Sequence, residues 1–381
     1  MADEIQKGLE GVVVAESKLS YIDGDAGRLV YRGYAIEALA REASFEEVLY
    51  LLWHGQLPTD AELSAFTGEM AAERTVDDAV VDLLEDLAAA DERPMAALRT
   101  AVSALSADDP ELDADDLDAA LRKGRRITAK IPTILAAYDR IRNGEDPVEP
   151  REDLGHAANF LYMLDGETPS DVAAETFDQA LTLHADHGLN ASTFTSMVVA
   201  STMADVYNSV TAGIGALSGP LHGGANQDVI EMLLAIDEAG DDPVDWVETK
   251  MQEEDWRVPG WGHRVYNVKD PRAVILGERS RELGEQSGDS TWYDYASAIE
   301  EHLTDKGLPE KGIAPNVDFY SGTVYYQLGI PVDMYTPIFA LSRVGGWIAH
   351  VLEYQAENRL IRPRGKYTGP ESAEWVPIDE R

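Results

Sequence analysis

The chain has no cysteine, which excludes disulfides, thiolate nucleophiles and cysteine-ligated zinc or iron-sulfur centres. It also lacks any apolar stretch approaching the ~18 to 20 residues that span a bilayer. The opening MADEIQKGLE has neither a basic start nor an apolar core, so neither secretion nor membrane insertion is expected, and a cytoplasmic location is. Positive charge is scarce: 31 basic residues, only 9 of them lysine, stand against 70 acidic ones, for a formal net charge of -39. That balance disfavours nucleic acid as a partner. Any chemistry must therefore come from His, Asp, Glu, Arg or hydroxyl groups.

The acidic residues are spread along the chain amid normal apolar content, which predicts a folded core under a carboxylate-rich surface and not a disordered tail. Molar salt shrinks the Debye length to ~3 Å, so such a surface suits a salt-rich, halophilic cytoplasm, and stability should fall on desalting. At 381 residues the chain exceeds the length at which one core usually splits, and two domains are expected.

Gly11 to Ile22 and Arg28 to Tyr31 are short β-prone runs around Asp23-Gly24-Asp25, which predicts a small hairpin. Nearly everything afterwards reads as helix. Ser44 and Glu47 have capping-box spacing, Phe45, Val48, Leu49 and Leu52 share a face, and Gly55 is a stop. Thr75 opens a similar segment through Val76, Val80, Leu83, Leu84 and Leu87. Ile127 to Ile141 repeats the pattern, with Pro132 expected to bend or interrupt it. From Ala191 to Ala216 small residues dominate, and one central buried helix is predicted. Gly219-Pro220 breaks the chain, suggests a domain boundary, and precedes a helix from about Asn226 to Ile236. Thr336-Pro337 reads as an N-cap and first-turn proline opening a long helix through Glu357.

Among the 8 histidines, His156, His187, His222 and His263 stand beside glycine, where backbone approaches a ligand. His184 and His187, three apart, would share a helical face and suggest a metal pair. No carboxylate at zinc-protease spacing accompanies them, so a packed, hydrogen-bonded His184 is the better reading and no metal is expected. His222 follows a proline break and precedes a predicted helix. Its cationic form is disfavoured there, which leaves a neutral ring able to donate to a developing oxyanion; the plain alternative is a turn histidine in a Gly-rich loop. Pro259 to Tyr266, followed by Lys269-Asp-Pro-Arg272, combines flexible backbone, a titratable ring and cations. Its arginine suits a dianionic acid, a surface salt-bridge cluster being the alternative. Asp318 lies among apolar and aromatic neighbours. Burial would raise its pKa and a helix N-terminus would lower it, and the residues alone leave that balance open.

Taken together and in this order, LHGGAN, PGWGHRVY with DPR, and PNVDFYSG resemble the citrate synthase family. EGVVVAESKLSYIDG, LVYRGYAIEALA, DHGLNAST and RLIRPRG extend the resemblance from Gly8 to about Gly369. It implies an all-α homodimer, here with a small N-terminal β-hairpin. Each subunit would have a large helical domain, residues 1–222 and 327–381, and a small one, residues 223–326, closing over oxaloacetate. The resemblance implies that Asp318 removes a methyl proton from acetyl-CoA while His222 hydrogen-bonds the thioester oxygen. The two act together because the methyl hydrogens are only weakly acidic. His263 would be the general acid on the oxaloacetate carbonyl and His187 would bind oxaloacetate. Arg272, Arg343 and Arg362 would neutralise the substrate carboxylates, Arg362 from the neighbouring subunit. Hydrolysis of citryl-CoA to citrate and CoA completes the reaction without metal, redox group or tightly bound cofactor.

Where many relatives carry a basic residue after GHRVY, this chain has Asn267. Lys269 and Lys311 are therefore the candidate contacts for CoA phosphate, the alternative being that both simply extend their charge into water. Two other functions stand beside this one. A 2-methylcitrate synthase takes propionyl-CoA, and one methylene changes pocket selectivity by only ~1 to 3 kcal/mol. A non-catalytic acidic helical binding protein is opposed by the joint presence of His222, His263, Asp318 and the arginines.

Overall fold

Helix dominates the computed structural model, which describes residues 5–253 and 256–381; these hold sixteen α-helices and three short strands. Strands β1 (Ser20–Asp23), β2 (Arg28–Tyr31) and β3 (Tyr34–Ala35) form an antiparallel sheet in that order, with Ser20 opposite Tyr31 and Val30 opposite Ala35. The predicted hairpin is present, but its first strand begins at Ser20 instead of Gly11. Val13 is 88% exposed, so the apolar run before Ser20 has no sheet face to bury. In the turn, the Asp23 carboxylate accepts from the Asp25 and Ala26 amides. Gly24 is required there because a β-carbon would lie 1.8 Å from the Val265 carbonyl oxygen. The hairpin is thus packed against the loop that carries His263.

Local signals fix several helices where the sequence places them. Ser44 and Glu47 form a reciprocal capping box on helix Phe45–His54, and Gly55 ends it at φ 82°. Other boundaries differ for identifiable reasons. The helix expected from Thr75 begins at Asp78, behind Asp77, while Val76 is buried ahead of it. The Ile127 pattern belongs to helix Leu117–Arg142, which starts well upstream where Asp116 accepts from the Ala119 amide. That helix is not interrupted at Pro132. Its flanks are buried, and Thr133 donates to the Arg74 carbonyl, so tertiary packing outweighs the lost helical hydrogen bond.

The small-residue stretch forms two helices, Ala191–Ala200 and Val206–Leu217, and not one. Between them Met203 takes φ 64° and Asp205 caps the second by accepting from the Asn208 amide. Small residues then let the pair lie close: a β-carbon on Gly213 would come 2.5 Å from Ser196 Oγ. Helix Ala225–Ala239 follows the Gly219-Pro220 break. Thr336 is not a cap. The last helix, Tyr335–Ala356, starts two residues earlier out of the 3-10 turn Val332–Met334, and the Thr336 hydroxyl donates to the Gly223 carbonyl at 2.8 Å.

This last helix is buried almost continuously from Tyr335 to Val351 and packs on Phe45–His54, Leu117–Arg142, Asp171–His184 and both small-residue helices. At Gly346 a β-carbon would stand 2.3 Å from the Ala185 carbonyl oxygen, so the helix presses directly on the segment that follows His184. A second group, Ala225–Ala239, Pro271–Ser287, Thr291–Asp305 and Val317–Gln327, packs on itself. There Gly322 brings Val317–Gln327 so near Asn226 that a β-carbon would lie 2.7 Å from its carbonyl oxygen.

Candidate active site

Helix Asp171–His184 ends at the first of three segments that build the site. Its last residue is the packed histidine expected: His184 Nδ1 lies 2.7 Å from the Ala180 carbonyl, and burial pushes its pKa down to about 3. Because the helix stops there, His187 does not share a face with it, and no group of three His, Asp or Glu suited to a metal occurs among the described residues. The next loop is fixed by Asp186, which is fully buried. Its carboxylate accepts from the Ser20 hydroxyl and from the Gly188 amide at 3.2 Å, and it pairs with His350 Nε2 at 3.1 Å. Burial pushes this carboxyl up, but the neighbouring His350 and Arg343 more than reverse that, so it stays ionised. His187 is thereby held with Nε2 3.3 Å from the Tyr266 hydroxyl and its ring 5.4 Å from that of His263.

The second segment, residues 259–270, is lashed to the third, residues 314–318, by backbone bonds. The Gly262 amide donates to Ala314 at 2.9 Å, the Asn316 amide to Gly260 at 2.9 Å and the Asp270 amide to Pro315 at 3.0 Å. The Asn316 side chain adds a bond to the Gly262 carbonyl at 2.9 Å. Gly260, at φ 72°, allows this approach, since a β-carbon would come 2.8 Å from Phe319 Cα. His263 and Asp318 are therefore placed by one set of contacts. Arg272 is buried and held by Asp270 through Nε at 3.0 Å and a terminal nitrogen at 2.7 Å. Burial opposes its charge and Asp270 more than restores it.

Arg343 is different. It is 1% exposed and its Nε donates to the His184 carbonyl at 2.7 Å; among the described residues one terminal nitrogen has no partner and no carboxylate pairs with it. Burial lowers its pKa to about 10, so it remains a cation without a directly bonded counter-charge. Its field reaches His187, His222 and Asp318, which ties those groups to one neighbourhood.

Hydrogen bonds assign the protons on the two remaining histidines. His263 Nδ1 faces the amides of Val265 at 2.9 Å and Tyr266 at 3.1 Å. Amides only donate, so Nδ1 is bare and the ring hydrogen is on Nε2. His222 has the opposite arrangement: Nε2 accepts from the Ser192 amide at 3.1 Å, and its hydrogen is on Nδ1. Burial, followed by Arg272 for His263 and Arg343 for His222, lowers both pKa values to about 4, so both rings are neutral donors near pH 7. Asp318, in the first turn of helix Val317–Gln327, is walled in although the residue keeps a partly exposed edge. Burial raises its pKa to about 6 in spite of Arg272 and Arg343, which settles the balance left open by the sequence. A basic carboxylate and two neutral imidazole donors can move a proton from carbon while stabilising charge on oxygen.

Other expected residues lie differently. Arg362 is exposed on the segment after the last helix and makes no side-chain hydrogen bond or ion pair among the described residues. Lys269 is bound to Glu300, with its ammonium 5.3 Å from the centre of the Tyr320 ring. Lys311 is exposed, and the neighbouring Gly312 faces Asn267, whose amide donates to Asp25 at 2.7 Å. Asp186, Ser192, Tyr266 and Trp347 were not singled out by the sequence. All four act through contacts between distant segments, and only the place of Asp186 and Ser192 in DHGLNAST, of Tyr266 in GHRVY and of Trp347 beside Arg343 signals them. A cavity of about 710 Å³ lies elsewhere, among Arg140, Asp165, Gln286 and Gln327, so volume alone does not find this site.

Comparison with known proteins agrees with the geometry. The family model described as citrate synthase, C-terminal domain, matches residues 8–364. A citrate synthase of Haloferax volcanii is 61% identical over 100% of both chains. A 2-methylcitrate synthase of Mycobacterium tuberculosis is less similar, at 41% over 97% of this chain and 91% of its own. The crystal structure of citrate synthase from Pyrobaculum aerophilum superposes with a TM-score of 0.93 at 43% identity, covering 99% of this chain and 95% of that one. A citrate synthase of Thermoplasma acidophilum solved as a ternary complex with carboxymethyl coenzyme A and oxaloacetate superposes with a TM-score of 0.90 at 34% identity, covering 99% of this chain and 100% of that one.

Proposed function

The chain belongs to the citrate synthase family, and on that premise we propose that it joins the methyl carbon of acetyl-CoA to the carbonyl carbon of oxaloacetate and hydrolyses citryl-CoA to citrate and CoA. The observation that carries this reading is the complementary protonation of the site: one carboxylate with its pKa raised to about 6, and two neutral imidazoles that present hydrogens from opposite ring nitrogens. Asp318 takes a methyl proton. The Nδ1 hydrogen of His222 meets the charge that grows on the thioester oxygen, so the enolate forms without full separation of charge. Its carbon attacks the ketone of oxaloacetate as the Nε2 hydrogen of His263 passes to the ketone oxygen. Water then cleaves the thioester and CoA leaves as the thiol.

Arg343 gains from a substrate carboxylate the counter-charge it lacks, and Arg272 offers the donors not taken by Asp270. His187 completes the oxaloacetate site. Arg362 serves the site of a second subunit in a homodimer. Exposed apolar side chains towards both chain ends, Val13 at 88%, Trp375 at 80% and Ile378 at 83%, support such a partner. Residues 223–326 close over oxaloacetate against the rest of the chain, and Lys269 and Lys311 meet the CoA phosphates. No resident cofactor is required. No helix among the described residues is long and apolar enough to cross a membrane; the enzyme works in a salt-rich cytoplasm.

Release of CoA in concentrated KCl, with oxaloacetate and either acetyl-CoA or propionyl-CoA, tests this function. Faster turnover of acetyl-CoA is expected. A preference for propionyl-CoA would reassign the chain to 2-methylcitrate synthesis, and silence toward both by folded protein would remove the mechanism.

A further inference from the structure

The hairpin of β1 and β2 touches both histidine loops, one at each end. At its base stand Ser20 and Tyr31, opposite each other across the strands. The Ser20 hydroxyl donates to the Asp186 carboxylate, while the Tyr31 hydroxyl donates to the Asp186 carbonyl at 2.7 Å and accepts from its amide at 3.2 Å. Both therefore grip the residue before His187. Ile22 lies 3.6 Å from where a β-carbon on Gly188, the residue after His187, would stand. At the tip, the Gly24 carbonyl accepts from the Asn267 amide at 3.0 Å, and the Asp25 carboxylate accepts from the Asn267 side chain at 2.7 Å. A backbone amide only donates and an ionised carboxylate only accepts, so both bonds have a fixed direction. Gly24 lies against the Val265 carbonyl and Gly27 against Val268, each with no room for a β-carbon. The clasped segment holds the catalytic ring, because the Val265 and Tyr266 amides are the two that donate to His263 Nδ1. Ser20 and Asp23 are the ends of β1, and at ~3.3 Å per residue roughly 10 Å of strand separates the two grips.

We propose that the hairpin is a positioning element for the condensation: its base fixes the loop of His187, its tip fixes the loop of His263, and the strand between them sets the offset of the two rings. Gly24 and Asp25 are then positioning residues for His263, acting through residues 265–267. This rests on the function proposed above, in which the Nε2 hydrogen of His263 passes to the ketone and His187 binds oxaloacetate. Tip and base have different kinetic consequences. When residues 265–267 shift, their amides leave Nδ1, and the ring is free to turn or to take the other tautomer. Oxaloacetate still binds, but its proton is not delivered. Loosening the base moves His187 and weakens the hold on oxaloacetate itself.

The test compares full-length Gly24→Ala, Asp25→Ala, Asp25→Asn and Ser20→Ala with the wild type for CoA release, oxaloacetate KM and melting temperature in concentrated KCl. The φ of Gly24 is not positive, so alanine there meets only the collision with Val265. Relieving it takes a shift on the order of 1 Å, which is expected to lower kcat ~10- to 10²-fold. KM for oxaloacetate should stay within about threefold. Asp25→Ala, at an exposed position, is expected to lower kcat about threefold, and Asp25→Asn, which keeps an accepting oxygen, to restore it. Ser20→Ala should do the reverse, raising KM for oxaloacetate about tenfold with kcat within about threefold. Wild-type kcat in Gly24→Ala overturns the proposal. So does the same parameter moving by similar factors in tip and base variants, which makes the hairpin a stabilising element only. If Gly24→Ala does not fold, Asp25→Ala carries the comparison. Nitrogen NMR of histidine-labelled protein, with His263 assigned through His263→Gln, reads the ring without turnover. A bare Nδ1 in the wild type and a mixture of tautomers in the tip variant are expected, and His263 signals unchanged by the substitution contradict the proposal. A folded wild type without turnover would instead remove the function proposed above and leave this readout intact.

Discussion

Asp318 shows how burial makes a base out of an ordinary carboxyl. Motif order singled the residue out, but the outcome of burial against helix terminus depends on Arg272, Asp270 and Arg343 arriving from other segments, which no local pattern records. Its pKa of about 6 gives two linked expectations. The protonated acid cannot accept a methyl proton, so kcat should fall as pH drops below about 6. A carboxyl whose folded pKa exceeds its unfolded value adds stability below the unfolded pKa, and that stability is lost as pH rises through the folded value. At neutral pH Asp318 therefore costs stability. Asp318→Asn should lower kcat by ~10² to 10⁴-fold while raising the melting temperature at pH 7.5. A variant that is both fully active and unchanged in stability would refute this account of the residue. His222 and His263 were likewise legible as candidates, whereas the ring nitrogen bearing each hydrogen is set by the Ser192, Val265 and Tyr266 amides and was not.

At the scale of elements, legibility followed the range of the forces. Ser44, Glu47 and Gly55 act within one turn, and their helix stands where the sequence put it. Pro132 carries a local signal to break, but the buried surroundings of helix Leu117–Arg142 override it. The small-residue stretch reads as a single buried run because its composition is uniform, yet Asp205 caps a second helix and the chain turns at Met203. That turn matters for the site, since it lets Ala191–Ala200 present Ser192 to His222. The last helix places Arg343, Trp347 and His350 at four- and three-residue spacing, so one face supplies an unpaired cation, a donor to Ser192 and a partner for Asp186. Gly346 allows that face to approach the loop of His187, because any side chain would meet the Ala185 carbonyl.

Over the whole molecule a net charge of -39 surrounds a site built on buried arginines. At ~0.01 M salt the Debye length is ~30 Å and the surface carboxylates repel one another across the molecule; at ~1 M it is ~3 Å and the repulsion is confined to neighbours. The melting temperature should rise from dilute buffer to several molar KCl, and an unchanged value would count against a salt-adapted surface. The acidic surface was legible from composition, as were the all-helical class and the order of the motifs, because these are properties of the chain as a string. How three distant segments converge on His187, His263 and Asp318 was implied only by family resemblance. The proposed carbon-carbon bond formation by Asp318, His222 and His263 is tested most directly by carbon NMR of [methyl-¹³C]acetyl-CoA with oxaloacetate and enzyme in concentrated KCl. The label should move into a methylene of citrate as an equal amount of CoA is released, whereas label recovered in free acetate would show simple thioester hydrolysis and contradict the condensation.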